Sequence, residues 1–125
     1  MQLLFEQETH NIINACYEVH RVLGCGFTEP IYQVALAEDL RLQDIPFERE
    51  SFIPFYYKGK EFNNLLRPDF VCYSHIIVEL KAVSSLLPEH EAQLINYLKA
   101  GDVPVGLLIN FGTETIQIKR RVHLY

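Results

Sequence analysis

His75-Ile76-Ile77-Val78-Glu79-Leu80-Lys81-Ala82-Val83 is the stretch on which the fold turns. Ile76, Ile77 and Val78 are apolar on both faces of an extended chain, which places this strand centrally in a sheet. Upstream, a turn around Tyr73-Ser74 returns the chain from a strand that runs through Leu65 and Leu66 to about Cys72. Downstream, Pro88 opens a helix that reaches Ala100 and ends at Gly101, and Val105 to Phe111 is a second two-sided apolar strand. A helix between two such strands predicts a right-handed parallel crossover.

The flanks complete the order. Residues Thr9 to Leu23 read as a helix, with Thr9 as N-cap and Ile12, Cys16, Val19 and Leu23 on one face. Gly24-Cys25-Gly26 breaks it. A second helix is expected from Thr28 to about Gln43, with Pro30 in its first turn and Ile31, Val34, Ala35, Leu40 and Leu42 as apolar positions. Phe47 to Tyr57 reads as one strand, with Pro54 marking an edge or bulge, and Lys58-Gly59-Lys60 as a hairpin turn. Thr115 to Val122 is the last strand. The expectation is an α/β fold, α-α-β-β-β-α-β-β, with a mixed sheet, helices on both faces and one domain over residues 1–125.

Composition narrows the class. With 49% hydrophobic and 22% charged residues, the chain has the balance of an ordinary globular protein. Gln2-Leu3-Leu4-Phe5-Glu6 has no basic region before it and is too short for a signal peptide. Val103 to Ile109 is interrupted by Pro104 and Gly106 and falls short of the roughly 20 apolar residues of a membrane span. A soluble, cytoplasmic protein is expected. Cys16, Cys25 and Cys72 have no C-x-x-C spacing and fit reduced thiols. The net charge of -5 opposes broad nucleic-acid binding, but it is uneven. Glu29, Glu38, Asp39, Asp44, Glu48 and Glu50 crowd the first half, and Lys119-Arg120-Arg121 is a basic run near the end.

The chemistry lies on the opening strand. Glu79 and Lys81, two apart, project to the same face. A turn centred on Ser74 puts Asp69 opposite Glu79, with β-carbons about 4.5 to 5.5 Å apart. Two carboxylates so placed repel, and a divalent cation between them relieves it. Such a centre suits phosphodiester hydrolysis, with Lys81 stabilising charge or orienting water. The plainer reading pairs Asp69 or Glu79 with Lys81 or Arg67 as a salt bridge. On the third helix His90, Gln93 and Tyr97 share a face beside Leu94 and Ile95, fit to contact phosphate, the carboxylates or a base, or simply solvent. Glu29 sits in a first helical turn, where the dipole favours a negative charge in any case. His20 reads equally as a satisfied core histidine. No H-E-x-x-H, P-loop or G-x-G-x-x-G pattern occurs.

Gly26-Phe27-Thr28-Glu29-Pro30-Ile31-Tyr32 forms a G-x-x-E-x-x-Y motif. It follows Val19-His20-Arg21-Val22-Leu23-Gly24 and precedes Arg67-Pro68-Asp69, Val78-Glu79-Leu80-Lys81-Ala82-Val83, His90-Glu91-Ala92-Gln93-Leu94 and Leu107-Leu108-Ile109-Asn110-Phe111-Gly112. From about Thr9 to Val122 the chain resembles the GxxExxY protein family, a bacterial and archaeal group within the PD-(D/E)XK nuclease superfamily. The resemblance implies a restriction-endonuclease-like core. It implies Glu29, Asp69, Glu79 and Lys81 as catalytic residues, and Mg²⁺ (or Mn²⁺) held by Glu29, Asp69, Glu79 and the Leu80 carbonyl. Gln93-x-x-x-Tyr97 resembles the helix motif of RecB-like exonucleases. Gln93, Tyr97, Tyr32, His20 and His90 are the expected substrate-binding or supporting residues. The expected function is metal-dependent hydrolysis of DNA, with nucleic acid as partner, no membrane and a homodimer left open. The rivals are a non-catalytic nucleic-acid-binding or assembly module on the same fold and a hydrolase of another phosphate ester.

Overall fold

The computed structural model describes residues 4–124. Its elements run α1 (Glu6–Leu23), α2 (Glu29–Leu42), β1 (Phe47–Arg49), β2 (Ile53–Tyr57), β3 (Lys60–Leu66), β4 (Phe70–Cys72), β5 (Ile76–Lys81), α3 (Pro88–Gly101), β6 (Val105–Asn110) and β7 (Gln117–Val122). Five strands form one mixed sheet in the order β1-β4-β5-β6-β7, and β2 and β3 form a separate two-stranded sheet.

The two-sided apolar strands are where the sequence places them. β5 lies at the centre of the sheet and pairs parallel with β6, Val78 opposite Leu107, with α3 as the crossover. Alternation then divides the layers. Ile76, Val78 and Leu80 join Leu107 and Ile109 in a core with Ile12, Cys16 and Val19 of α1 and Tyr32, Leu36 and Leu40 of α2. Ile77 and Leu108 face the other way, onto Leu94 and Leu98 of α3. Glu79 and Lys81 follow Ile77 at even spacing, so they point to the α3 side.

Three expectations change. Helix α1 begins before Thr9, which lies inside its first turn with Oγ1 donating to the carbonyls of Phe5 and Glu6 at 3.0 Å each. On α2, Ile31, Val34 and Leu42 are exposed, and the buried face is Tyr32, Gln33, Leu36 and Leu40. On α3, Ile95 is likewise exposed beside buried Leu94.

The largest correction concerns the first strands. Residues 47 to 57 do not form one strand, and the return strand does not run unbroken to Cys72. Both partners leave the main sheet together. Glu50 adopts φ 52°, its N–H donates to the Asp69 carbonyl at 2.9 Å, and Arg67 Nε donates to the Glu50 carbonyl at 3.0 Å. Beyond that crossing β2 and β3 make a hairpin of their own, closed by Lys58 and Gly59, both at positive φ. Two successive positive-φ residues match the twist of a tight hairpin. The ladder shifts register between Ile53 and Phe55, where Pro54 sits, as expected of a proline in a strand.

Candidate active site

The turn at Tyr73 and Ser74, both at positive φ, pairs Cys72 with Ile76, Val71 with Ile77 and Phe70 with Val78. One step beyond the ladder, Asp69 stands opposite Glu79. The two side chains interlock with the backbone. The Asp69 N–H donates to Oε1 of Glu79 at 2.9 Å, and the Leu80 N–H donates to Oδ2 of Asp69 at 2.8 Å. Glu79 is only 7% exposed. Burial, and then the neighbouring Asp69, push its carboxyl up to about 8, against the opposing pull of its hydrogen bond from Asp69 and of Lys81. Neither acid forms an ion pair with Lys81 or Arg67 among the described residues; Arg67 lies 3.8 Å from Glu50 instead. The salt-bridge reading therefore lacks its partner.

Glu29 heads α2 and lines an open cleft of about 500 Å³ with Pro30, Gln33, Arg49, Glu50 and Asp69. Its side chain is half-buried there. Burial raises its carboxyl above the ordinary range; Lys81 and His90 pull it down and Asp69 pushes it up. Among the described residues no three His, Cys, Asp or Glu side chains converge as a cluster able to hold an ion. Glu29 thus shares the cleft without closing a three-carboxylate set.

Tyr97 stands on the same side. Burial, then the charges of Glu79 and Asp69, raise its phenol, while a hydrogen bond with the Arg67 backbone lowers it. His90 accepts from the Leu87 N–H at 3.0 Å through Nδ1, which caps α3, and it lies near enough to Glu29 to lower that carboxyl. Gln93 is exposed on α3 and hydrogen-bonds none of the carboxylates.

Tyr32 packs in the α1–α2 layer and His20 on α1 meets the loop after β6, and the hydrogen bonds of both go to backbone groups rather than to the carboxylates. Tyr32 is fully buried; its hydroxyl donates to the Gly24 carbonyl at 2.6 Å and accepts from the Phe27 N–H at 3.3 Å. Its ring stacks on Phe111 at 4.7 Å. The G-x-x-E-x-x-Y spacing thereby acquires a physical meaning. Gly26, at φ 107°, allows the sharp loop, Tyr32 ties that loop down, and Glu29 is presented at the helix start. His20 Nε2 lies 2.9 Å from the Thr113 carbonyl and supports the loop after β6.

Two site residues escaped the sequence reading. Gln33 is 9% exposed, with Nε2 donating to Oδ1 of Asp69 at 3.2 Å and Oε1 accepting from Arg49 Nε at 2.9 Å. Its signal was a polar residue on the buried face of α2, one turn after Glu29. Arg49 ends the short edge strand β1 and brings the guanidinium into the cleft. The exit of β5 is fixed by Asn110, which is fully buried. Its Oδ1 accepts from the N–H groups of Val83 and Gly112 at 3.0 Å each. Its Nδ2 donates to the Val83 carbonyl at 3.0 Å and to Gln117 at 2.9 Å.

An acid before the first strand of a hairpin, an E-x-K motif on its second strand at the sheet centre and a helical crossover define a restriction-endonuclease-like fold. The chain belongs to the PD-(D/E)XK nuclease superfamily, whose family model matches residues 6–122. A solved structure described as the crystal structure of SSO0001 is similar in fold, with a TM-score of 0.58 at 22% identity. The match covers 97% of this chain and 60% of that one, so the chain spans about three-fifths of that structure's length. No curated protein matches the chain. No described helix is long and apolar enough to cross a membrane.

Proposed function

We propose that this chain is a divalent-metal-dependent nuclease that hydrolyses phosphodiester bonds of DNA. The observation that carries the reading is buried Glu79 set against part-buried Asp69, interlocked through the Asp69 N–H and without a cationic side chain in ion-pair contact. A buried carboxylate beside another is costly unless a proton or a cation compensates it. The donor set, hard oxygens only, suits Mg²⁺ or Mn²⁺. Asp69, Glu79 and the Leu80 carbonyl would hold the ion, with Glu29 acting from across the cleft. When bound, the cation supplies Lewis-acid polarisation of the scissile phosphate and balances the paired acids.

The chain's own groups do the rest. Lys81, part-buried two residues after Glu79, places its ammonium where charge develops on the phosphoryl oxygens. Arg49, steadied by Gln33, offers a planar donor fork to a flanking phosphate. From α3, Tyr97, within the field of Glu79 and Asp69, and His90, whose field reaches Glu29, would orient the strand.

The test is cleavage of labelled DNA with and without Mg²⁺ or Mn²⁺, comparing the unsubstituted protein with Lys81→Ala. Metal-dependent cleavage that falls by about 10²- to 10³-fold in Lys81→Ala is the expected result for a single transition-state donor. Oligonucleotide binding without cleavage under any metal would favour the non-catalytic module. Hydrolysis of mononucleotides in preference to oligonucleotides would favour another phosphate ester, a reading with which the net charge of -5 agrees.

A further inference from the structure

The β2–β3 hairpin serves no purpose in the site just described. It is a sheet of its own, and its root alone is anchored. A β-carbon on Gly101 of α3 would come within 2.5 Å of Ile53 and 3.5 Å of Leu66, so the root packs tightly on the end of that helix. Ile53 and Tyr97 border the same apolar cluster under α3. The hairpin therefore springs from the helix that carries Tyr97 to the carboxylates. Five strand residues at about 3.3 Å each make it an arm on the order of 16 Å long.

Its outer half is neither a core nor an ordinary solvated surface. Phe55 pairs with Phe62 and Tyr57 with Lys60. Tyr57 is 58% exposed. Lys60 Nζ lies 5.2 Å above the Phe62 ring, and Lys58 Nζ lies 5.6 Å above the Tyr57 ring. The single acid of the hairpin, Glu61, is on the opposite face, bonded to the Tyr56 hydroxyl and Asn63. Of the other cations, Arg21, Arg41, Arg67 and Arg121 each stand against a glutamate, whereas Arg49, Lys81, Lys99, Lys119 and Arg120 have no ion pair among the described residues. Lys58 and Lys60 have no ion pair among the described residues. In an acidic chain this tip is a local positive, aromatic surface.

We propose that the hairpin is a nucleic-acid-binding arm that takes a single-stranded segment of the substrate, with phosphates on Lys58 and Lys60 and an unstacked base on Tyr57. The inference rests on the nuclease reading for its substrate class. Paired bases hide their faces in a duplex, whereas an unpaired base can stack on an exposed ring, and lysines beside that ring follow the backbone. The strand leaving the carboxylates would pass Tyr97 and reach the arm.

Binding of labelled oligothymidylate, followed by fluorescence anisotropy in a Glu79→Gln background, tests the arm without turnover. Replacing both Lys58 and Lys60 by Ala should make the slope of log K against log salt shallower by about 1.4, at about 0.7 per single-strand phosphate contact. Tyr57→Ala should weaken binding roughly fivefold to a hundredfold, the range for one base–aromatic stack. The losses should be smaller for a duplex of the same length. Lys58→Gln with Lys60→Gln, which keeps side-chain length, repeats the measurement should the alanine pair disturb the hairpin. Unchanged affinity and slope in these variants, no binding by the parent, or an equal loss on duplex would overturn the proposal. Turnover is read separately. Arm-dependent binding by a protein that cleaves no DNA would overturn the nuclease reading and leave the arm standing.

Discussion

The backbone N–H of Asp69 donates to Oε1 of Glu79 at 2.9 Å, so a residue that contributes one carboxylate of the pair also clamps the other. The clamp holds Glu79 in a buried position beside a second acid. Its proton affinity then sets the pH dependence of the fold.

Burial and the neighbouring Asp69 push the Glu79 carboxyl up to about 8, well above the 4.5 of a free glutamate. Between those values the native state binds more protons than the unfolded chain, so stability falls as pH rises through that window. Below it the proton removes the penalty, and above it the penalty is complete. Burial moves Glu29 in the same direction. Melts in chelator should therefore show a lower midpoint at pH 8 than at pH 5, and Mg²⁺ should restore much of the difference. Glu79→Gln keeps an oxygen for the Asp69 N–H and removes the buried charge. It should melt higher at pH 8 in chelator and respond to no metal. A destabilised Glu79→Gln protein would mark the charge as structural.

Gln33 joins Asp69 to Arg49. Gln33→Leu has nearly the same volume but leaves Oδ1 of Asp69 and the Arg49 Nε without that partner. Arg49 is exposed and Asp69 part-buried, so water can reach both and the expected cost is about 0.5–1.5 kcal/mol, the net worth of a hydrogen bond. Urea denaturation measures it. An unmoved midpoint would mean that water replaces Gln33 without loss.

Asn110 makes four hydrogen bonds at the exit of β5. Asn110→Ala should cost about 3 kcal/mol or more at roughly 1 kcal/mol per bond. Gly112 is tied to the same place, because a β-carbon there would stand 2.3 Å from the Val83 carbonyl oxygen. Gly112→Ala should be comparably harmful, and thermal melts of the two variants check both.

The cysteines should divide by reactivity. Cys25 is exposed, and Cys16 and Cys72 are fully buried. Burial pushes the Cys72 thiol up to about 12 and the Cys16 thiol further in the same direction. Alkylation of the native protein at neutral pH, read by peptide mass, should mark Cys25 alone and reach the others only after unfolding. Native labelling of Cys72 would show that β4 opens readily.

What was legible follows from period and parity. The run Ile76-Ile77-Val78 marks a strand covered on both sides, and a turn centred on Ser74 fixes Asp69 against Glu79 by counting alone. The division of residues 47 to 57 was not legible, because nothing in Glu50-Ser51-Phe52 announces a change of sheet. The crossing is held by Asp69 and Arg67, distant in sequence. Periodicity also assigned Ile31, Val34 and Leu42 inward, where the structure turns Tyr32 and Gln33 to the core. Tyr32 and His20 belong to motifs that lie beside the site's, and sequence order cannot reveal that their hydrogen bonds go to loop backbone instead. Gln33 and Arg49 form a bridge from α2 to β1, a relationship that exists only once both have docked.

The tight turn at Tyr73-Ser74 also has a consequence for the order of folding. It joins Asp69 to Glu79 across ten positions of chain, whereas Glu29 lies forty positions from Asp69. Closing the longer loop costs about 1.2 kcal/mol more in chain entropy, two doublings at about 0.6 each. Local pairs form first where topology governs the rate. The two acids thus meet in an immature chain while water still screens them. Their repulsion is felt in full when α3 docks over that face of the sheet, so that docking is the kinetic step most sensitive to protons and divalent ions.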